Sequence, residues 1–229
     1  MKFRALLVVT SLTLAACGGD DEPVADPEPV NDEPAAGPVI DGPVSTLSPE
    51  IPSAYDGGIG PVDVTGEPLP PLEDEGNDAA VGMAAPTLLG LGVDGNPLLI
   101  DPAANGPAML VFVAHWCPHC NDEIPKLNEL RDDGEFPPGL DIVAISTAVA
   151  PDRPNWPPDE WLDSTMGWTY PAMLDAIDLE RQTFIAADAY GVNSFPFVVL
   201  VDGDGAVVTR WSGEREPSEI LSKIDLLAL

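Results

Sequence analysis

Apolar and polar positions divide the 229 residues into three stretches of different rhythm. After Lys2 and Arg4 comes an apolar run from Ala5 to Cys17, broken only by Thr10, Ser11 and Thr13. From Gly18 to Asp78 neither a strand period nor a helix period can be traced, and prolines and acids interrupt every short apolar group. From about Val81 the rhythm is that of a folded domain. Ala85–Leu91 and Val93–Ile100 predict two short strands joined at Asp94-Gly95-Asn96. The unbroken run Ala108–Ala114, bounded by Gly106-Pro107, predicts a strand covered on both faces. A helix is expected just after Cys117, with Pro118 in its first turn and Ile124, Leu127 and Leu130 on one side. Leu140–Ser146 reads as a second buried strand, Asp159–Met166 and Phe184–Tyr190 as helices, and Phe197–Val201 as a strand. Asp202–Gly205 is then a hairpin turn, Ala206–Trp211 its returning strand and Pro217–Leu227 a closing helix. Strands alternating with helices in this order predict an α/β domain.

Charge sharpens the division. The chain carries 39 acids against 9 bases, a formal charge of −30. Binding to nucleic acid is driven by cationic side chains that displace phosphate counterions, so this balance excludes that class of partner. Residues 18–78 hold 16 acids, 12 prolines and no base. Such a segment has too little apolar surface to offset the entropy of ordering, and it is expected to be a disordered, extended linker. The expected organisation is therefore a signal segment at 1–17, the linker at 18–78 and a folded domain at 79–229. The short apolar run with its basic front suits a secretory signal rather than a membrane-spanning helix. Leu14-Ala15-Ala16-Cys17 resembles the lipobox of bacterial lipoproteins, which implies lipidation at Cys17, an extracytoplasmic location and a membrane anchor. Cleavage nearby in an ordinary secreted protein is the alternative.

Chemistry concentrates at Cys117-Pro118-His119-Cys120, where the buried strand gives way to the helix. A Cys-x-x-Cys pair at such a junction has the spacing of a thioredoxin-like redox motif, and an exported chain meets an oxidising or mixed compartment. Unpaired amides and the positive end of the helix dipole favour a thiolate on the first sulfur. Cys117 is thus the expected attacking thiol and Cys120, one turn on, the expected resolving thiol. The bland alternative is a structural disulfide, but so small a loop constrains the chain little.

Around this motif the chain resembles the extracytoplasmic thioredoxin-like proteins of the TlpA and ResA type. The resemblance rests on Ala114–Pro125, with Trp116 before the pair and Glu123 three residues after it, on Ala85-Pro86, and on Tyr190–Asp202 with Pro196. It spans about residues 83–227 and implies a thioredoxin-like fold, a central mixed sheet flanked by helices, with thiol-disulfide oxidoreductase activity and no cofactor. Protein thiols or disulfides and a membrane redox partner are the implied partners. It further implies that Pro196 is cis and leaves the Phe195 backbone beside Cys117, that Glu123 is buried and exchanges the proton of Cys120, and that Trp116 packs beside the active sulfur. A trans proline at a strand edge, a solvated helix carboxylate and ordinary core packing are the respective alternatives. Phe195 replaces the commoner Thr, and the segment from Ala150 to Tyr170 is unusually rich in Pro and Trp, so substrate contacts are where this chain departs from the pattern.

The direction of electron flow is left open between two indications. The Cys-Pro-His-Cys quartet resembles that of strongly oxidising DsbA-type proteins, because a histidine at 119 stabilises the thiolate and hence the reduced form. The TlpA-like framework implies reduction. Two other classes compete for the same residues. His115, Cys117, His119 and Cys120 could ligate copper or zinc, although His115 ends a strand while His119 begins a helix. A thioredoxin-fold peroxidase would use one of these cysteines against peroxide.

Overall fold

A computed structural model describes residues 59–229. The signal segment, Cys17 and most of the expected linker lie outside the described residues. In chain order the domain contains β1 (Val62–Thr65), β2 (Thr87–Gly92), β3 (Pro97–Ile100), α1 (Pro102–Asn105), β4 (Ala108–Val113), α2 (Pro118–Asp132) and β5 (Asp141–Ser146). Next come α3 (Pro158–Glu160), which widens into a π turn (Trp161–Thr165), β6 (Ala172–Leu174), β7 (Ile177–Asp178), β8 (Thr183–Phe184) and α4 (Ile185–Ala189). The chain closes with β9 (Phe197–Val201), β10 (Val207–Ser212), α5 (Pro217–Ile224) and a last 3-10 turn (Asp225–Leu227).

The main sheet runs β1-β2-β6-β5-β4-β9-β10, with β3 also paired to β2. Its centre is mixed: β4 pairs in parallel with β5 and antiparallel with β9, and β5 in parallel with β6. The strand–helix alternation predicted such an α/β arrangement, and the mixed sheet is the one that the resemblance to thioredoxin-like proteins implied. All six residues of β4 are buried, which explains its unbroken apolar run. Alternate side chains serve opposite faces. Leu110 and Phe112 join a core with Leu88, Tyr190 and Val199, whereas Met109, Val111 and Val113 join one with Ile124, Leu127, Trp161 and Trp211. Helix α2 needs only one apolar stripe, because only one side of it meets the sheet. That stripe is Cys120, Ile124, Leu127 and Leu130, and it also buries Glu123.

Residues 59–78 correct the expected boundary of the linker. They are folded against the domain: β1 pairs antiparallel with β2, and Leu69 and Leu72 are buried. The Leu69 amide donates to the Ala189 carbonyl at 2.8 Å, and Asn193 Nδ2 donates to the Leu72 carbonyl at 2.6 Å. Asp78 closes this strap with a buried bidentate pair to Arg210, at 2.8 Å from Nε and 2.5 Å from Nη2. Burial works against the Asp78 carboxylate, but the Arg210 bonds and charge prevail and hold its pKa below the ordinary range. Arg210 also donates to the carbonyls of Pro70 and Tyr190. Single apolar residues among prolines carry no period, so this strap is invisible to pattern reading. Strand β6, only three residues long, escaped it for the same reason.

Candidate active site

Cys117 is the N-cap residue of α2, in extended geometry at φ −80° and ψ 120°. Strand β4 delivers the chain to this point, and the Cys117 amide bonds back to Ala114 O at 2.9 Å. The Cys117 carbonyl accepts the amides of Cys120 and Asn121 and the side-chain amide of Asn121 at 3.0 Å. Both cysteines are free thiols here. Their surroundings differ. Cys117 retains 6% exposure, and its Sγ lies 3.5 Å from the Phe195 carbonyl oxygen. Cys120 is fully buried, and burial, together with the charges of Cys117 and Glu123, pushes its thiol pKa far up.

The Phe195–Pro196 peptide bond is cis. Phe195 is half-buried, its ring edge-on to Trp116 with centroids 6.2 Å apart. Trp116 is fixed by its indole nitrogen, which donates to the Ala148 carbonyl at 2.7 Å. The Pro196 carbonyl is taken by the Gly213 amide, which ties the loop before β9 to the turn after β10.

Glu123 is completely buried on α2, three residues beyond Cys120. Its Oε2 accepts the Arg215 amide at 2.8 Å, and its Oε1 has no partner. Burial raises its pKa from an ordinary 4.5 to about 7, against the pull of that amide and of Lys126. A carboxyl so placed exchanges a proton near neutrality, where a solvated one would stay ionised. His119 is exposed, with Nδ1 3.6 Å from Glu214 Oε1. Together with Asp122 these two side chains bring three potential ligand atoms within 4.8 Å, but neither sulfur is among them.

His115 does not join the cluster that a metal reading needs. It is fully buried and turned toward the loop after β5, with Nδ1–H donating to Pro154 O at 2.7 Å and Nε2 accepting the Ala150 amide at 3.2 Å. Both ring nitrogens are therefore used, and burial lowers its pKa and keeps it neutral. The sequence also left Asn121 unassigned. Its Oδ1 accepts from Trp161 Nε1 at 2.9 Å, which joins the cysteine turn to the Pro- and Trp-rich segment. No spacing rule marks such a residue, since its partners lie about 40 positions away.

The sequence profile of the thioredoxin-like domain family matches residues 102–228. The chain belongs to this family. Among curated proteins similar to this thioredoxin-like chain, thiol-disulfide oxidoreductase ResA of Bacillus anthracis is 25% identical over 140 residues, 61% of this chain and 74% of that one. Thiol:disulfide interchange protein CycY of Rhizobium leguminosarum bv. viciae is 35% identical over 118 residues, 51% of this chain and 56% of that one. The solved structure of a thioredoxin-family thiol:disulfide interchange protein from Chlorobium tepidum TLS superposes with a TM-score of 0.50 at 24% identity, covering 66% of this chain and 99% of that one. By homology this thioredoxin-like chain is a thiol-disulfide oxidoreductase.

Proposed function

We propose that Cys117 and Cys120 exchange disulfides with protein substrates outside the cytoplasm, in the reducing direction, with the domain held to a membrane through a lipidated Cys17. The observation that carries the chemistry is the asymmetry of the pair: one sulfur reaches the rim beside an open backbone carbonyl, and the other is enclosed next to a protonatable carboxyl. In the forward step the Cys117 thiolate attacks a substrate disulfide, forming a mixed disulfide and expelling one substrate thiolate. An extended substrate segment would pair along the Phe195 backbone as an added strand. Cys120 then yields its proton, with Glu123 as acceptor, and attacks Cys117 Sγ. The products are the Cys117–Cys120 disulfide and a second substrate thiol, two electrons having passed to the substrate. A membrane redox partner would restore the dithiol.

Trapping tests this reading. In Cys120→Ser the second step is blocked, so the substrate stays attached to Cys117 and separates as a reducible adduct on a non-reducing gel. Recovery of no adduct from the native host would sink the reading. Peroxide turnover without a thiol partner, or stoichiometric copper binding that is lost when both sulfurs are blocked, would favour the competing classes instead.

A further inference from the structure

We propose that Arg153 selects the substrate of this site by receiving a carboxylate carried two or three residues from the substrate cysteine. The inference rests on the thiol-disulfide reading above and adds to it a class of substrate: segments with Asp or Glu close to the reactive disulfide.

The first observation is a count of charges. Residues 59–229 contain seven bases. Six are paired: Lys126 with Glu216, Arg131 with Asp132, Arg181 with Asp178 and Asp188, Arg210 with Asp78, and both Arg215 and Lys223 with Glu75. Arg153 is exposed and has no carboxylate partner among the described residues, although the domain is strongly acidic and Asp152 is its neighbour in sequence. The second observation is where it lies. Its guanidinium carbon stands 5.2 Å from the centroid of the Trp116 ring, and Trp116 immediately precedes Cys117. Stacking on an aromatic face leaves the in-plane N–H fork of a guanidinium free for a carboxylate. From Trp116 to the Phe195 ring is a further 6.2 Å. The Arg153 guanidinium is thus at most about 11 Å from the ring of Phe195, the residue whose carbonyl meets Cys117, a span that an extended strand covers in about three residues.

The third observation is how firmly the Arg153 loop is held. His115 is buried beneath it and bonds it on both sides of Arg153, at Ala150 N and Pro154 O. The Arg153 amide closes a turn onto the Ala150 carbonyl. Asn155 returns to the site with 2.7 Å and 3.4 Å bonds to His115 O and Asn121 Oδ1. A buried histidine with both nitrogens committed to one surface loop fixes that loop against the cysteine turn. Its tip carries the cation without a carboxylate partner among the described residues.

The redox step is that of the parent reaction: the Cys117 thiolate forms a bond to one substrate sulfur, the other leaves and takes a proton, and no further reagent enters. Arg153 acts on encounter and orientation, and its contribution is screened by salt. The test uses the full chain, reduced at both cysteines. Its probes are peptides whose single cysteine is joined to the neutral thiol N-acetylcysteine amide and flanked at two and three residues by Glu or by Lys. The rate of peptide-thiol release is compared between the two. Arg153→Gln should lower the Glu-to-Lys rate ratio about fivefold to tenfold at low salt, the change fading above about 0.2 M. Arg153→Lys should retain most of the wild-type ratio. Arg181→Gln, which removes the same charge from the turn between β7 and β8, should leave the ratio as it is. An unchanged ratio in Arg153→Gln, or an equal fall in Arg181→Gln, overturns the proposal. If the wild type releases thiol from neither peptide, the thiol-disulfide reading itself fails, an outcome distinct from loss of selectivity.

Discussion

Glu123→Gln isolates the energetic consequence of burying a carboxyl behind the cysteine pair. Glutamine keeps the shape and the oxygen that accepts the Arg215 amide, and it holds an N–H donor where the protonated acid holds O–H. What it removes is titration. In the folded wild type the carboxyl binds its proton up to about pH 7, whereas in the unfolded chain it loses it from about 4.5. Between these values the folded state binds more protons than the unfolded state, so stability falls as pH rises, and the loss is complete above about 7. Integrated from pH 5 to pH 8.5, the linkage gives about 2.5 kcal/mol. The side chain is fully buried, so solvent screening does not reduce this figure. Groups that do not feel the Glu123 charge titrate alike in both proteins and cancel in the difference. Urea denaturation of reduced wild type and Glu123→Gln at the two pH values should show the variant gaining about 2.5 kcal/mol on the wild type. A difference that stays within about 0.5 kcal/mol across the range would refute the buried, neutral carboxyl, because a solvated one gives no linkage.

Two further outcomes follow from the same geometry. A chain beginning at residue 79 loses Leu69, Leu72 and the Asp78 partner of Arg210, leaving a guanidinium buried without its counter-charge; relative to a chain beginning at residue 59 it should lose at least about 3 kcal/mol in denaturant unfolding. The Cys117–Cys120 couple, equilibrated with a dithiol of known potential, should be less reducing than the roughly −270 mV of thioredoxin, and His119→Ala should move it toward more negative values.

The sequence discloses most where a local rule and a long-range constraint coincide. Cys117 to Cys120 sits at a strand–helix junction that periodicity alone locates, and the helix start places the first sulfur at its N-cap. Glu123 shows the limit of that legibility. Its neighbours Asn121 and Asp122 are polar, and only the α2 face packed beneath the Arg215 turn makes it a buried acid. The strap at 59–78 and the Arg153 loop were illegible for another reason. Each is held by bonds spanning about 35 to 140 positions to a buried polar residue, Arg210 or His115, and no local pattern encodes such a partner. The Pro- and Trp-rich centre, a departure from the family pattern, supplies the Pro154 carbonyl, Asn155 and Trp161 that brace the cysteine turn, and the Ala148 carbonyl just before it holds Trp116.

The same enclosure bears on when Cys120 reacts. Its thiol is held protonated by burial and by the nearby charges of Cys117 and Glu123, two acids that share its space. In the dithiol, a charge on Cys117 makes ionisation of Cys120 harder. Once Cys117 is joined to substrate it carries no charge, and that obstacle to ionising Cys120 disappears. Glu123, with one carboxyl oxygen unpartnered and a pKa near 7, can then take the proton without a full negative charge having to persist in the core. In the proposed cycle attachment of substrate is therefore the event that releases the resolving thiol, and a free dithiol keeps its second sulfur silent until a mixed disulfide exists.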